Sequence, residues 1–254
     1  MHEWYAAPME GLTGWRWRQV QHEMFGGAAL YVAPFVSPNG NFSFQRKELE
    51  ELDPERNRGI PVVPQILTNR AEYFVWAAKE CRSRGWAQID LNLGCPSGTV
   101  TGKKKGAGLL RQPELLRQLL DGIFDALPDM KISVKTRIGW ERAEEWPALL
   151  ALLETYPICR LTVHPRVRTQ FYKGAADREV FRWTAEHTAL PLCYNGDVTT
   201  VCDLREMGEA FPDAAVMVGR GLVADPSLLR QATGGPAASL EELREFPKQK
   251  DIKK

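Results

Sequence analysis

Eight short apolar runs separated by amphipathic stretches predict an α/β protein, a (β/α)8 or TIM barrel. Three observations carry this expectation. The strand candidates recur along the whole chain. Helical periodicity fills most of the intervals between them. A chain of 254 residues, 44% of them hydrophobic, can bury the single core that such a barrel needs. A doubly wound open sheet is the structural alternative.

The strand candidates are EWYAAP (3–8), ALYVAP (29–34), PVVPQIL (61–67), QIDLNL (88–93), KISVKTR (131–137), CRLTVHP (159–165), LCYNG (192–196) and AAVMVG (214–219). Helices are expected over 14–25, 71–84, 113–125, 144–155, 177–188 and 200–211. In 71–84, Ala71, Phe74, Val75, Ala78 and Cys81 share one stripe, with Glu72, Lys79 and Arg82 elsewhere. The 113–125 segment opens on Pro113, a favoured first-turn residue. It repeats Leu115, Leu116, Leu119, Leu120, Ile123 and Phe124 at the helix period. Residues 37–59 are polar and turn-rich after Pro38-Asn39-Gly40, with a helix expected inside the excursion. There is no internal repeat and no low-complexity tract. The barrel is expected to occupy 1–235, with 236–254 a short polar and basic tail.

Charged residues make up 26% of the chain and the net charge is +1, so any nucleic-acid contact must come from local patches. The five cysteines, Cys81, Cys95, Cys159, Cys193 and Cys202, show no CxxC spacing. Neither a zinc site nor a disulfide framework is indicated, no metal is expected, and reduced thiols in a cytoplasm fit best. The opening MHEWYAAPMEG has no basic n-region and no apolar h-region, so no signal peptide is expected. No apolar run approaches membrane-spanning length.

In a (β/α)8 barrel chemistry gathers where the strands end. The expected exits carry Pro8-Met9-Glu10, Ala33-Pro34, Gln65, Asn92 with Cys95, Lys135 with Arg137, His164 with Arg166, Asn195 with Asp197, and Gly219-Arg220. The seventh and eighth exits, YNGDV and VGRGL, suit a phosphate. Gly196, Gly219 and Gly221 allow close backbone approach to an anion, and Arg220 can add a charge-assisted bond. Lys135 alternates with Val134 and Thr136, so it faces the barrel mouth or interior. There it can hold negative charge on a cofactor, form a Schiff base, or snorkel to solvent. Alone, His164 reads as a satisfied core histidine. Gln65 offers an amide donor and acceptor suited to the edge of a planar heterocycle. Cys95 sits between Gly94 and Pro96 on a constrained turn, and is read as a buried thiol, a metal ligand, a disulfide half or a reactive group.

Together these motifs resemble the tRNA-dihydrouridine synthase family of FMN-dependent reductases. APMEGLTG (7–14), LNLGCPSGTVTGKKKGAGLL (91–110), VKTRIGW (134–140), TVHPRVRTQFY (162–172), YNGD (194–197) and VMVGRGL (216–222) stand in the family's order. The resemblance spans residues 5 to about 230, and its most specific part is the Cys-Pro loop followed by a glycine-containing basic stretch. It implies FMN as cofactor, NADPH as reductant and tRNA as partner, and no protein partner is inferred from it. Pro8, Met9 and Glu10 would lie at the cofactor, with Pro8 and Met9 against the isoalloxazine. Gln65, Lys135 and His164 would bond its polar edge. Asn195, Gly196, Asp197, Gly219 and Arg220 would hold the phosphate end. Asn92 would line the uridine site and Cys95 would be the acid. Reduction of the uracil 5,6-bond takes a hydride at C6 and a proton at C5, and a thiol is still protonated at neutral pH. Lys103, Lys104, Lys105, Arg137, Arg166 and Arg168 are the expected RNA-contacting groups, with Phe171 and Tyr172 available for stacking. The family's C-terminal helical domain is expected to be largely absent. ASLEELREF (238–246), capped by Ser239, resembles the start of its first helix, which Pro247 is expected to interrupt. The alternatives are an FMN barrel acting on a free pyrimidine or enone-like molecule, a non-catalytic RNA- or flavin-binding protein, and a Schiff-base aldolase using Lys135.

Overall fold

The computed structural model describes residues 2–252. Its strands are β1 (Trp4–Ala6), β2 (Leu30–Val32), β3 (Val62–Val63), β4 (Gln65–Ile66), β5 (Gln88–Leu93), β6 (Lys131–Arg137), β7 (Arg160–His164), β8 (Leu192–Tyr194) and β9 (Ala215–Val218). All eight expected runs carry strand. The third is split because Pro64 has no N–H to give a ladder. The order is β3-β2-β1-β9-β8-β7-β6-β5-β4, and the paired strands are parallel. β3 and β4 are separated only by Pro64 yet stand at opposite ends of that order. The third run thus closes the cycle of eight, and the fold is the expected (β/α)8 barrel.

The helices are α1 (Trp15–Met24), α2 (Arg46–Glu51), α3 (Ala71–Ser83), α4 (Gly98–Thr101), α5 (Pro113–Ala126), α6 (Trp146–Leu153), α7 (Arg178–His187), α8 (Val201–Ala210), α9 (Arg220–Ala224), α10 (Leu228–Ala232) and α11 (Leu240–Ile252). Their starts follow local chemistry. Pro113 opens α5. The Asp177 carboxylate accepts the N–H groups of Glu179 and Val180 at 3.1 Å each. At α8, Thr200 and Asp203 cap each other's backbone, at 3.1 and 2.8 Å. No described helix is long and apolar enough to cross a membrane.

The chain divides into two compact units. The first comprises Met1–Pro34, Arg46–Val63 and Asn195–Lys254. It holds β1, β2, β3 and β9, and its α1 is tied down by a buried cation. Arg18 pairs with Glu51 at 2.9 Å and donates to Thr13 O and Asn57 Oδ1. The second comprises Phe35–Gln45 and Pro64–Tyr194, with β4 to β8. Its strands alternate cleanly. Ile89, Leu91, Leu93, Ile132, Val134, Leu161 and Val163 are wholly buried on one face. Asp90, Asn92, Ser133, Lys135, Arg137, Thr162 and His164 occupy the other.

The end of the chain is more structured than a polar tail. Ser239 Oγ accepts the Glu242 N–H at 3.1 Å, and Glu242 Oε2 accepts the Ser239 N–H at 2.8 Å. The expected cap is therefore present, but the helix continues through Pro247 to Ile252. Packing of α11 within the first unit supports that continuation. Phe246 is buried, edge-on to Trp17 at 6.4 Å and to Phe25 at 5.5 Å. Arg230 adds a two-pronged pair with Glu242 at 2.8 and 3.1 Å. Phe246→Ala is expected to destabilise the protein by about 3 kcal/mol in thermal unfolding. Leu243→Ala, on the exposed side of the same helix, is expected to change little.

Candidate active site

The polar face of the second unit is built by strand register. Asp90 stands beside Ser133, Asn92 beside Lys135, and Arg137 beside His164. Asp90 is buried and accepts from Ser133 Oγ at 2.7 Å and Gln65 Nε2 at 2.8 Å. Burial pushes its carboxyl up to about 6, against the pull of those two hydrogen bonds and of the Lys135 charge. Both of its oxygens accept in these bonds, as a carboxylate does. Lys135 is half-buried. Desolvation and the Arg137 charge bring its ammonium down to about 8, opposed by Asp90, Cys193 and Cys95. Gln65 Oε1 accepts Asn92 Nδ2 at 2.8 Å, so the amide expected to face a heterocycle also bridges two neighbours.

Beyond β5 the chain turns at Gly94. Asn92 Oδ1 accepts the N–H groups of Gly94 and Cys95 at 3.0 and 2.9 Å. The carbonyls that follow are held one by one. Arg137 Nε donates to Gly94 O at 3.1 Å, the Ala107 N–H to Cys95 O at 3.1 Å, and Arg168 Nε to Pro96 O at 3.1 Å. Gly106 lies against the turn with φ of +54°, and a Cβ there would meet Cys95 O at 3.0 Å. Only glycine fits that approach. Cys95 itself is half-buried at the strand exit. Cys81 and Cys193 are buried, which pushes both thiols up to about 12. Lys103 and Lys104 are exposed, whereas Lys105 reaches Ser37 Oγ at 2.9 Å.

Two of the expected RNA-contacting arginines are buried. Arg137 donates to Val167 O and Phe171 O as well as Gly94 O, and burial brings it down to about 10. Arg166 bonds Gly174 O at 2.5 Å and lies 3.0 Å from His164 Nε2. A guanidinium can only donate, so Nε2 is the acceptor. The ring proton is thereby assigned to Nδ1, and His164 presents a donor there. Arg168 is half-buried, with its guanidinium 4.6 Å from the Trp140 ring and 4.8 Å from the Phe171 ring. Arg111 also lies over Trp140, at 4.6 Å. The exposed Tyr172 ring is 6.2 Å from His164 and 5.5 Å from the Arg137 guanidinium.

The remaining expected residues belong to the first unit. Asn195 Nδ2 bonds Met217 O at 2.8 Å. Asp197 adopts φ of +47° and pairs with Arg220 at 2.8 Å. Gly196 is buried. A Cβ on Gly219 would stand 3.4 Å from Met9 Sδ, and one on Gly221 would strike Val198 O at 2.5 Å. Pro8 and Met9 are half-buried and Glu10 is exposed. The expected residues thus fall into two groups. Gln65, Asn92, Cys95, Lys103, Lys104, Lys105, Lys135, Arg137, His164, Arg166 and Arg168 lie in the second unit, and the rest in the first. Sequence reasoning passed over Asp90, Ser133, Gly106 and Trp140. Asp90 was detectable as an acid alternating with Ile89 and Leu91 inside a buried strand. Among the described residues there is no group of three or more His, Cys, Asp or Glu able to hold a metal.

Known proteins carry the same pattern. Residues 5–250 match the family described as Dihydrouridine synthase (Dus). A probable tRNA-dihydrouridine synthase of Rhodobacter capsulatus is 31% identical over 226 residues, covering 89% of this chain and 69% of that protein. tRNA-dihydrouridine synthase B of Proteus vulgaris is 31% identical over 227 residues, with the same two coverages, 89% and 69%. Among solved structures, a variant of NCR from Zymomonas mobilis superposes with a TM-score of 0.65 at 14% identity, over 98% of this chain and 92% of that one. Histamine dehydrogenase from Rhizobium sp. 4-9 gives 0.67 at 12% identity, over 91% and 45%. At those identities the likeness is one of fold. The match over nearly the whole length, together with the relatives at 31% identity, shows that this chain belongs to the dihydrouridine synthase family.

Proposed function

We propose that this protein reduces the 5,6-double bond of uridines in cytoplasmic tRNA to dihydrouridine, with FMN as its flavin, NADPH as reductant and Cys95 as the proton donor. The observation that carries the reading is the Cys95 turn. A half-buried thiol leaves the strand exit on a backbone whose Gly94, Cys95 and Pro96 carbonyls are each held by a separate donor. Membership of the dihydrouridine synthase family supports the same reaction.

The residues fit a flavin. Lys135 and the Nδ1–H of His164 are donors for the polar edge of its ring, and Gln65 keeps one amide proton for it. In the first unit, Gly219 leaves room beside Met9 that a side chain would fill. Pro8, Met9 and Glu10 would serve the ring, and Asn195, Gly196, Asp197, Gly219 and Arg220 the phosphate end. When bound and reduced, FMN supplies the hydride. Below about 8 Lys135 is a cation suited to negative charge on the ring edge. Cys95 delivers the proton to C5, which an ordinary carboxylic acid, ionised at neutral pH, would not do. Asn92 lines the uridine site. Lys103 and Lys104 meet RNA phosphates directly. Arg168 and Lys105, half-buried, act on the substrate while holding loops, and the buried Arg137 and Arg166 serve it by holding the loops that surround it.

In single turnover, unmodified tRNA is expected to reoxidise the reduced flavin and gain dihydrouridine, while free uridine and orotate leave the flavin reduced. Rapid reoxidation by free uridine without any change in tRNA would assign the small-molecule reaction instead. FMN affinity is expected to fall as pH rises through about 8, where Lys135 of the free protein loses its proton. Fluorescence titration checks this, with Lys135→Met removing the bend in the profile and weakening binding at neutral pH. Raising salt is expected to weaken tRNA binding steeply, and Lys103→Ala/Lys104→Ala to flatten that slope by about two.

A further inference from the structure

We infer that Asp90 is a positioning residue for the Cys95 turn, acting through a one-way chain of side-chain amides that its carboxylate orients. The inference deepens the reading of Cys95 as proton donor and rests on it for its functional meaning.

The chain begins in the interior. Ser133 Oγ donates to Asp90 Oδ1 at 2.7 Å, and Gln65 Nε2 donates to Asp90 Oδ2 at 2.8 Å. Gln65 Oε1 then accepts from Asn92 Nδ2 at 2.8 Å. Asn92 Oδ1, at the far end, accepts both Gly94 N–H at 3.0 Å and Cys95 N–H at 2.9 Å. All four side chains are buried, with exposures of 4% for Ser133, 2% for Asp90, 1% for Gln65 and 7% for Asn92.

Direction is the important property of this chain. A side-chain amide carries a donor and an acceptor of nearly equal size, so nothing within Gln65 or Asn92 selects one orientation. An ionised carboxylate only accepts. With Asp90 at one end, Gln65 must present Nε2 to it and Oε1 to Asn92. Asn92 must then turn Nδ2 inward and Oδ1 toward the turn. A flipped Asn92 would set its own N–H groups against those of Gly94 and Cys95 and leave these half-buried donors without its oxygen. The acid at 90 therefore decides whether the backbone that carries Cys95 is held.

The test is amide hydrogen exchange at Gly94 and Cys95, read by NMR on the 15N-labelled protein as purified. The Gly85 N–H, bonded to Arg82 O in a turn outside the chain, is the reference. Asp90→Asn replaces the acceptor with an amide that tolerates either orientation of Gln65. Exchange at Gly94 and Cys95 is expected to rise about tenfold relative to Gly85. The double variant Asp90→Asn/Gln65→Glu moves the carboxylate one step along the chain. Position 65 then accepts from both neighbours, position 90 still accepts from Ser133, and the direction is restored. Protection is expected to return. Unchanged exchange in Asp90→Asn, or a double variant as unprotected as the single one, overturns the inference. Should Asp90→Asn fail to fold, Gln65→Leu breaks the chain one step later and is expected to raise exchange likewise. Unchanged exchange there overturns it equally. None of these readings depends on turnover. A failure of the acid assignment would show instead as dihydrouridine formation by Cys95→Ala, with the exchange pattern intact.

Discussion

Where β5 runs out past Leu93, the backbone leaves its ladder, and the polar groups from Gly94 to Pro96 must find partners elsewhere. These residues are half-buried, so water reaches them only in part and partners within the protein matter. The solution draws on several segments of the second unit. Asn92 takes two N–H groups, and Arg137, Ala107 and Arg168 each take one carbonyl. Much of the surrounding sequence follows. Gly106 suits its place because its φ is positive and a Cβ there would press on Cys95 O and Val100 at 3.0 Å. The arginines after β6 and β7 are placed to span loops, each donating to carbonyls of other segments. The Cys-Pro loop and the basic stretch after it form one unit of structure, which explains why they occur together.

The same strands solve a second problem, that of charge in the interior. Their apolar face carries the buried Thr136 hydroxyl, which bonds Arg137 O at 2.8 Å, while their other face carries an acid, a lysine, an arginine and a histidine. Asp90 and Lys135 move toward neutrality under desolvation, yet each holds the other's charged form. Arg166 fixes His164 as a donor at Nδ1. The outcome is a set of donors of known direction held in a desolvated setting, where each interaction is stronger than it would be in water. In the first unit the corresponding economy is one of space. Gly221 brings backbone close to Val198 where a side chain would collide, and Gly219 leaves open the space beside Met9 that a side chain would fill.

Most of the fold was legible because barrel strands are short, apolar and regularly spaced, and all eight runs carry strand. The departures have local causes. Pro64 divides the third strand because it cannot donate to a ladder. Pro247 does not end α11, since Phe246 anchors that helix against Trp17 and Phe25. Lys135 was legible from alternation with Val134 and Thr136. Arg137 and Arg166 were not legible as buried loop clamps, because spacing reveals a side chain's face and says nothing about which carbonyls wait beyond it. The acid at 90 was visible in the alternation of its strand, but its bonding stayed hidden for a related reason. Its partners, Gln65 and Ser133, sit on other strands, and only register brings them within reach.

The proposed reaction turns on Cys95 being the proton source rather than a packed thiol. The most direct measurement is dihydrouridine formation on unmodified tRNA by Cys95→Ala, with FMN absorbance recorded on the same preparation. The account predicts flavin bound as in the parent protein and dihydrouridine formation all but abolished. Undiminished dihydrouridine formation would contradict it.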